Sequence, residues 1–197
     1  MLVRSAGRII PFLLVLLLSG CGSDPQDQTS QPKLPPPTQT IFDLVDVDGR
    51  HARIHFVDGH LHGERIAQPN ILIHLFSPDE EIERVMLPWL SRLQRRHARE
   101  LFVIGITLPH PLNPEALRRF MRQNGATFFI ARSPDNAPLA FALLRMVQWS
   151  RERYPLPTTF LFRNGAYVTH YEGLTPIEMI RNDLAPSPTT AKGDTHP

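Results

Sequence analysis

The run Ile71-Leu72-Ile73-His74-Leu75-Phe76 passes directly into Ser77-Pro78-Asp79-Glu80. A near-continuous apolar stretch of this length reads as a strand buried on both faces, because neither face is left polar. The residues after it carry helix-start chemistry: serine at the N-cap, proline at the first helical position and an acidic residue at the third. Ile82, Val85, Met86, Trp89, Leu90 and Leu93 then keep a 3.6-residue period, which predicts a helix over residues 78–99. Pro88 falls inside it and should kink it by deleting one backbone donor. A strand covered on both sides and followed at once by a helix commits the chain to an α/β architecture.

The rest of the chain fits around that unit. Residues 41–65 alternate, with turn signals at Asp48-Gly49 and Asp58-Gly59, and read as short antiparallel strands. A second apolar strand is expected over residues 101–107. Asn113-Pro114-Glu115 then opens a helix that turns Leu117, Phe120 and Met121 inward and stops at Gly125. A short strand over 127–131 and an apolar helix over 138–149 follow. Two strands, 158–162 and 166–171, are joined by Asn164-Gly165, and Thr175-Pro176-Ile177-Glu178 opens a last helix through a second capping box. The order predicts a mixed sheet with helices on both faces and an N-terminal β extension.

The ends of the chain have a different character. Arg4 and Arg8 precede an apolar run, residues 9–18, which is too short to span a bilayer and reads as a secretory signal over residues 1–20. The run ends in Leu18-Ser19-Gly20-Cys21, which resembles the bacterial lipobox, so Cys21 is expected to be lipidated. Acyl chains there would anchor the protein, each buried CH₂ contributing ~0.8 kcal/mol. Gly22 rather than aspartate follows, which in enteric bacteria favours the outer membrane over the inner. Five prolines among polar residues make 21–40 an extended tether, and 186–197 reads as a disordered tail. The folded domain is then about 145 residues, residues 41–185, enough for a core without staples.

Composition excludes several classes. Cys21 is the single cysteine of the 197 residues, so the chain holds no internal disulfide framework and no Cys-x-x-Cys pair. Without the two leader arginines the chain carries 19 basic and 19 acidic residues, which gives no electrostatic support for nucleic-acid binding. No cofactor is expected.

Five segments in order make the chain similar to the thioredoxin-like superfamily, in particular to its membrane-tethered, periplasmic TlpA type, over residues 42–184. Leu75-Phe76 matches the aromatic end of that family's buried strand, and Pro88-Trp89-Leu90 its helix proline. Leu156-Pro157-Thr158-Thr159-Phe160-Leu161 matches the cis-proline segment, Arg163-Asn164-Gly165 the hairpin turn, and Glu172-Gly173 the glycine before the last helix. Counting back from Pro88, Glu80 and Glu83 stand at the two cysteine positions. The resemblance therefore implies the fold and a groove. It does not imply oxidoreductase activity, because glutamate can neither attack a disulfide nor resolve a mixed one.

The candidate groove residues are Phe76, Glu80, Glu83, Leu156, Pro157 and Thr158. In relatives, the cis-proline loop faces the helix start and pairs with the backbone of an extended substrate, which requires no thiol. The acidic cluster Asp79, Glu80, Glu81 and Glu83 is accounted for by helix-dipole stabilisation, or forms an acidic rim or part of a carboxylate metal site. As i,i+3 residues of a helix, Glu80 and Glu83 would share a face. His74 reads as a hydrogen-bonded core histidine, with a pH-sensing role as the alternative. His51, His55, His60 and His62 cluster on the N-terminal strands, His60 and His62 on one face, and offer imidazoles for zinc or copper. The arginines from Arg92 to Arg122 read as a solvated helical face.

The leading expectation is a redox-inactive, lipid-anchored module that faces the periplasm and binds an envelope protein or an unfolded polypeptide. A periplasmic metal-handling protein using histidine and carboxylate ligands is the alternative. An enzyme using Cys21 as a redox thiol is the third reading.

Overall fold

The computed structural model describes residues 40–109, 111–149 and 155–184. The signal segment, Cys21, the tether up to residue 39 and the tail expected over 186–197 lie outside the described residues.

Twelve elements follow one another: β1 Thr40–Val45, β2 His51–Val57, β3 His60–Glu64, β4 Asn70–Phe76, α1 Glu83–Arg96, β5 Leu101–Thr107, α2 Pro114–Gln123, β6 Phe129–Ala131, α3 Asn136–Met146, β7 Thr158–Arg163, β8 Ala166–Glu172 and α4 Ile177–Leu184. The strands form one mixed sheet in the order β1-β2-β3-β8-β7-β4-β5-β6. β4 is central, parallel to β5 and antiparallel to β7, and all seven of its residues are buried.

The two-residue alternation of β4 divides the core in two. Ile71, Ile73 and Leu75 join Phe160, Phe162 and the α3 residues Leu139 and Leu143 on one side. Leu72 and Phe76 join Leu87 and Leu90 of α1, Leu117 of α2 and Ile180 of α4 on the other. The N-terminal hairpin adds Phe42, Leu44 and Ile54 to the α3 side. Its outer edge is closed off rather than left as a bare template. Arg132 N–H donates to the Val45 carbonyl at 2.8 Å, Ser133 Oγ donates to the Asp43 carbonyl at 2.7 Å, and Asp43 N–H donates to Asp135 Oδ2 at 2.7 Å.

The elements arise where the sequence patterns place them, and their ends differ. The helix predicted over 78–99 begins only at Glu83. Residues 77–82 instead form successive turns, with Glu80 N–H on the Ser77 carbonyl and Glu83 N–H on the Glu80 carbonyl, both at 3.2 Å. Ser77 Oγ reaches only Asp79 N–H, at 3.4 Å, and the N-cap position falls to Ile82, which has no side-chain cap. α1 runs through Pro88. The second capping box also fails to form, because Thr175 donates its hydroxyl to the Gly173 carbonyl at 3.3 Å. α2 does start as predicted: Asn113 Oδ1 accepts from Ala116 N–H at 2.9 Å and Pro114 opens the helix. α3 starts two residues before the expected Pro138 and stops at Met146, where Gln148 takes φ +54° and Trp149 N–H turns back to the Leu144 carbonyl.

Candidate functional site

Register assembles the site. His74 of β4 lies opposite Thr159 of β7 on one side and Gly105 of β5 on the other. Opposite residues in a sheet project to the same face, so His74 and Thr159 meet beneath α1. His74 Nδ1 and Thr159 Oγ1 are 2.8 Å apart, and His74 Nε2 lies 2.9 Å from Glu83 Oε2. All three residues are buried. Glu83 arrives there because it is the first residue of α1, at the point where the turns of 77–82 hand the chain to the helix. Glu83 Oε1 and Thr107 Oγ1, both buried, have no hydrogen-bond partner among the described residues.

The imidazole is also stacked. Its ring lies 5.4 Å from that of Phe76, which in turn lies 5.8 Å from Phe120 of α2. A Cβ at Gly105 would come within 3.1 Å of Phe76, Phe128 and Ile130. Glycine therefore leaves the room in which this stack sits. The hydroxyl–imidazole–carboxylate chain resembles a nucleophilic triad in its order of groups, but it is closed to solvent. Its chemistry is positioning: it ties the start of α1 to the central strands.

The structure separates the six groove candidates. Leu156–Pro157 is a cis peptide bond, as the resemblance implied. Leu156 is half-buried and enters no main-chain hydrogen bond among the described residues. Pro157 is buried and its carbonyl accepts from Gly173 N–H at 2.8 Å. Thr158 is buried, its hydroxyl donating to the Pro155 carbonyl at 2.5 Å. Phe76 is core rather than groove wall, because it is sandwiched between His74 and Phe120. Glu80 and Glu83 do not share a helical face: Glu80 stands exposed in the turn before the helix, and Glu83 points into the core. Next to Pro157 in the chain Leu156 is half-buried, and Leu174 is 52% exposed; Asp79, Glu80 and Glu81 are exposed and line a depression with Phe120, Gln123 and Asn124. Leu174 sits next to the glycine that bonds Pro157, and nothing in its local sequence marks it.

The histidines of the N-terminal strands face carboxylates. His51 Nδ1 lies 3.2 Å from Asp43 Oδ1, and His55 Nε2 lies 3.4 Å from Glu64 Oε2. Arg53 stands between those acids, 3.3 Å from Glu64 and 3.8 Å from Asp43. The hydrogen bond from His55 and the charge of Arg53 hold the Glu64 carboxyl below its usual range. His62 lies opposite His55 in the register, and His60 opposite Val57. Among the described residues no group of three or more histidine, cysteine, aspartate or glutamate side chains is placed to hold a metal ion.

No protein family model matches the chain, and no curated protein matches it in sequence. Solved structures match it in fold. The thiol:disulfide interchange protein of the thioredoxin family from Chlorobium tepidum aligns over 75% of this chain and 94% of its own, with a TM-score of 0.53 and 16% identity. StoA from Bacillus subtilis aligns over 76% of this chain and 100% of its own, with a TM-score of 0.53 and 14% identity.

The fold is thioredoxin-like. Within this thioredoxin-like domain Glu83 opens α1, Glu80 stands in the turn before it, and no residue after Cys21 is cysteine. The sequence pattern singled out His74 and Glu83 separately. It did not join them, and Thr159 was visible only as one letter of the cis-proline segment. The usable signal was a polar residue inside each of two buried strands, since a buried polar group requires a partner.

Proposed function

We propose that this chain is a redox-inactive thioredoxin-like binding module of the bacterial cell envelope, lipid-anchored at Cys21 and facing the periplasm. It holds an envelope protein or an unfolded polypeptide at the groove between residues 77–82 and the cis-Pro157 loop. The supporting observation is the placement of Glu83. The position that the resemblance gives to the second cysteine is filled by a carboxylate sealed against His74, which removes thiol chemistry. The Leu156 main chain has no hydrogen-bond partner among the described residues, and Leu174 stays exposed. Main-chain groups on an open loop with an apolar rim suit an extended segment of another chain.

The test is photo-cross-linking of the native protein in its own membranes, with the photoreactive residue at Leu156, at Leu174 or, as an off-groove control, at Arg119 on α2. One defined species captured from both groove positions and not from Arg119, and lost on adding Glu80→Arg, is the expected result. Equal capture at all three positions, or none, overturns the reading. Acyl modification of Cys21 in the same preparation, read by mass, tests the anchor separately.

A further inference from the structure

A second concave surface lies away from the groove, along the C-terminal half of α1. Trp89, Arg92, Leu93, Arg96 and His97 recur at i, i+3, i+4, i+7 and i+8, so they form one face. α4 sets Ile177, Glu178 and Arg181 against it, and the two faces enclose a cavity of about 260 Å³. Leu93 is buried and Trp89 and Ile177 are half-buried, which gives the cavity an apolar floor. Arg96 stands thirteen residues beyond Glu83, about 20 Å along the helix at 1.5 Å per residue.

The charges on this face are not balanced among the described residues. Other arginines find partners: Arg50 pairs with Asp46, Arg53 with Glu64, Arg84 with Glu81, and Arg118 donates to the Val47 carbonyl. Arg92, Arg96 and Arg181 make no ion pair or hydrogen bond among the described residues. Glu178 is the single carboxylate in the wall of this cavity, against three guanidiniums; His97 is already paired with Glu100 at 3.3 Å. Like charges at i,i+4, as at Arg92 and Arg96, repel. The cavity continues past His97 and Arg181 into a wider depression of about 720 Å³, whose wall also holds Glu100 and Arg163, the latter donating to the Asp183 carbonyl. Arginines from two helices that line one cavity with an apolar floor suit a phosphate group in charge, and guanidiniums bind phosphate through forked, charge-assisted hydrogen bonds.

We propose that this α1–α4 cleft is a binding site for a phosphate ester, held by Arg92, Arg96 and Arg181, with Trp89 and Ile177 against its organic part. The ester comes either from a soluble organic phosphate or from the headgroup of an anionic phospholipid.

The experiment is calorimetric titration of the detergent-solubilised full chain with three probes: glycerol 3-phosphate, dihexanoyl phosphatidylglycerol below its micelle concentration, and dihexanoyl phosphatidylcholine as the zwitterionic control. Sub-millimolar binding of at least one anionic probe is expected, at least tenfold tighter than the control and weakening as salt rises. It should fall tenfold or more in Arg92→Gln/Arg96→Gln and in Arg181→Gln, and hold in Arg119→Gln. Arg96→Lys, which keeps the charge and loses the fork, should fall between. Equal affinity for the two anionic probes identifies the soluble ester chemistry as sufficient, and a preference for phosphatidylglycerol identifies the lipid. No anion binding at millimolar concentration, or equal weakening by Arg119→Gln, overturns the proposal. Thermal unfolding of each variant shows whether the fold is retained.

Discussion

Glu83 Oε2 lies 2.9 Å from His74 Nε2 with both side chains sealed from solvent, so the start of α1 is fastened to the central strand by one polar contact. Removing one partner leaves the other buried and unpaired, which costs about 3–5 kcal/mol, whereas replacing both by apolar groups of similar volume costs far less. Glu83→Leu and His74→Leu should therefore each lower the unfolding free energy by about 3 kcal/mol or more. The double variant should lose at least 1 kcal/mol less than their sum. Urea unfolding of the four proteins reads this directly. Additivity within about 0.5 kcal/mol would show that the contact is not a coupled unit.

Gly105 lies opposite His74 in β5 and gives a second handle on the same packing. Its added Cβ would meet three core groups at once, each at 3.1 Å: the Phe76 and Phe128 rings and the Ile130 side chain. Buried groups on three sides cannot all yield, and overpacking of this kind costs about 1–3 kcal/mol. Gly105→Ala should destabilise by that amount, although alanine is the better strand residue. A neutral or stabilising Gly105→Ala, measured by the same unfolding, would mean that the ring stack has slack.

The fold was legible because its signals are local and repeated. The β4 run, the Asn113-Pro114 cap of α2 and the Asn164-Gly165 hairpin each specify an element without reference to anything distant. The site was legible only in part. Pro157 announces its loop in sequence, but the link between His74 and Thr159 spans 85 residues and exists only through the β4–β7 register. The helix start misled for a physical reason. Ser77-Pro78-Asp79-Glu80 has the composition of an N-cap, yet the tertiary contact at Glu83 fixes where the helix begins, and the residues before it turn instead. Burial of Phe76 was hidden likewise, because its covering ring, Phe120, comes from another helix.

The turn before α1 also predicts what cysteines would do there. Glu83 N–H donates to the Glu80 carbonyl at 3.2 Å, a closed turn that brings residues 80 and 83 near each other. Glu80→Cys/Glu83→Cys should form an intramolecular disulfide in air, seen as a loss of two thiols by alkylation and mass. Residue 83 is buried and residue 80 exposed, so the thiol of the single variant Glu80→Cys should alkylate quickly and that of Glu83→Cys slowly. The double variant should also lose the stability of the His74 contact, by about 3 kcal/mol in the reduced state. Failure to close the disulfide would break the correspondence that the resemblance implies between these glutamates and the family's cysteines.

The far end of the domain is tied by Tyr171, whose hydroxyl donates to Asp183 Oδ2 at 2.6 Å and so joins β8 to α4. Burial, the hydrogen bond to Asp183 and the charge of that carboxylate together push the Tyr171 phenol far above its ordinary value near 10. In the folded state the phenol stays protonated while the unfolded chain ionises. Its contribution is thus complete below about pH 10 and is lost as pH rises above that, at no more than about 1.4 kcal/mol per pH unit. Tyr167, raised by burial, acts in the same direction and is common to both proteins compared. Tyr171→Phe should be less stable than the parent by ~2 kcal/mol at pH 8, the value of a hydrogen bond to a charged group. The gap should narrow between about pH 10 and 11.5, because the phenylalanine variant has no proton to lose at this position. Guanidinium unfolding of both proteins across that range decides the matter. A gap that stays constant with pH would mean that the Tyr171 phenol titrates alike in the folded and unfolded chains, and that its hydroxyl is not sealed against Asp183.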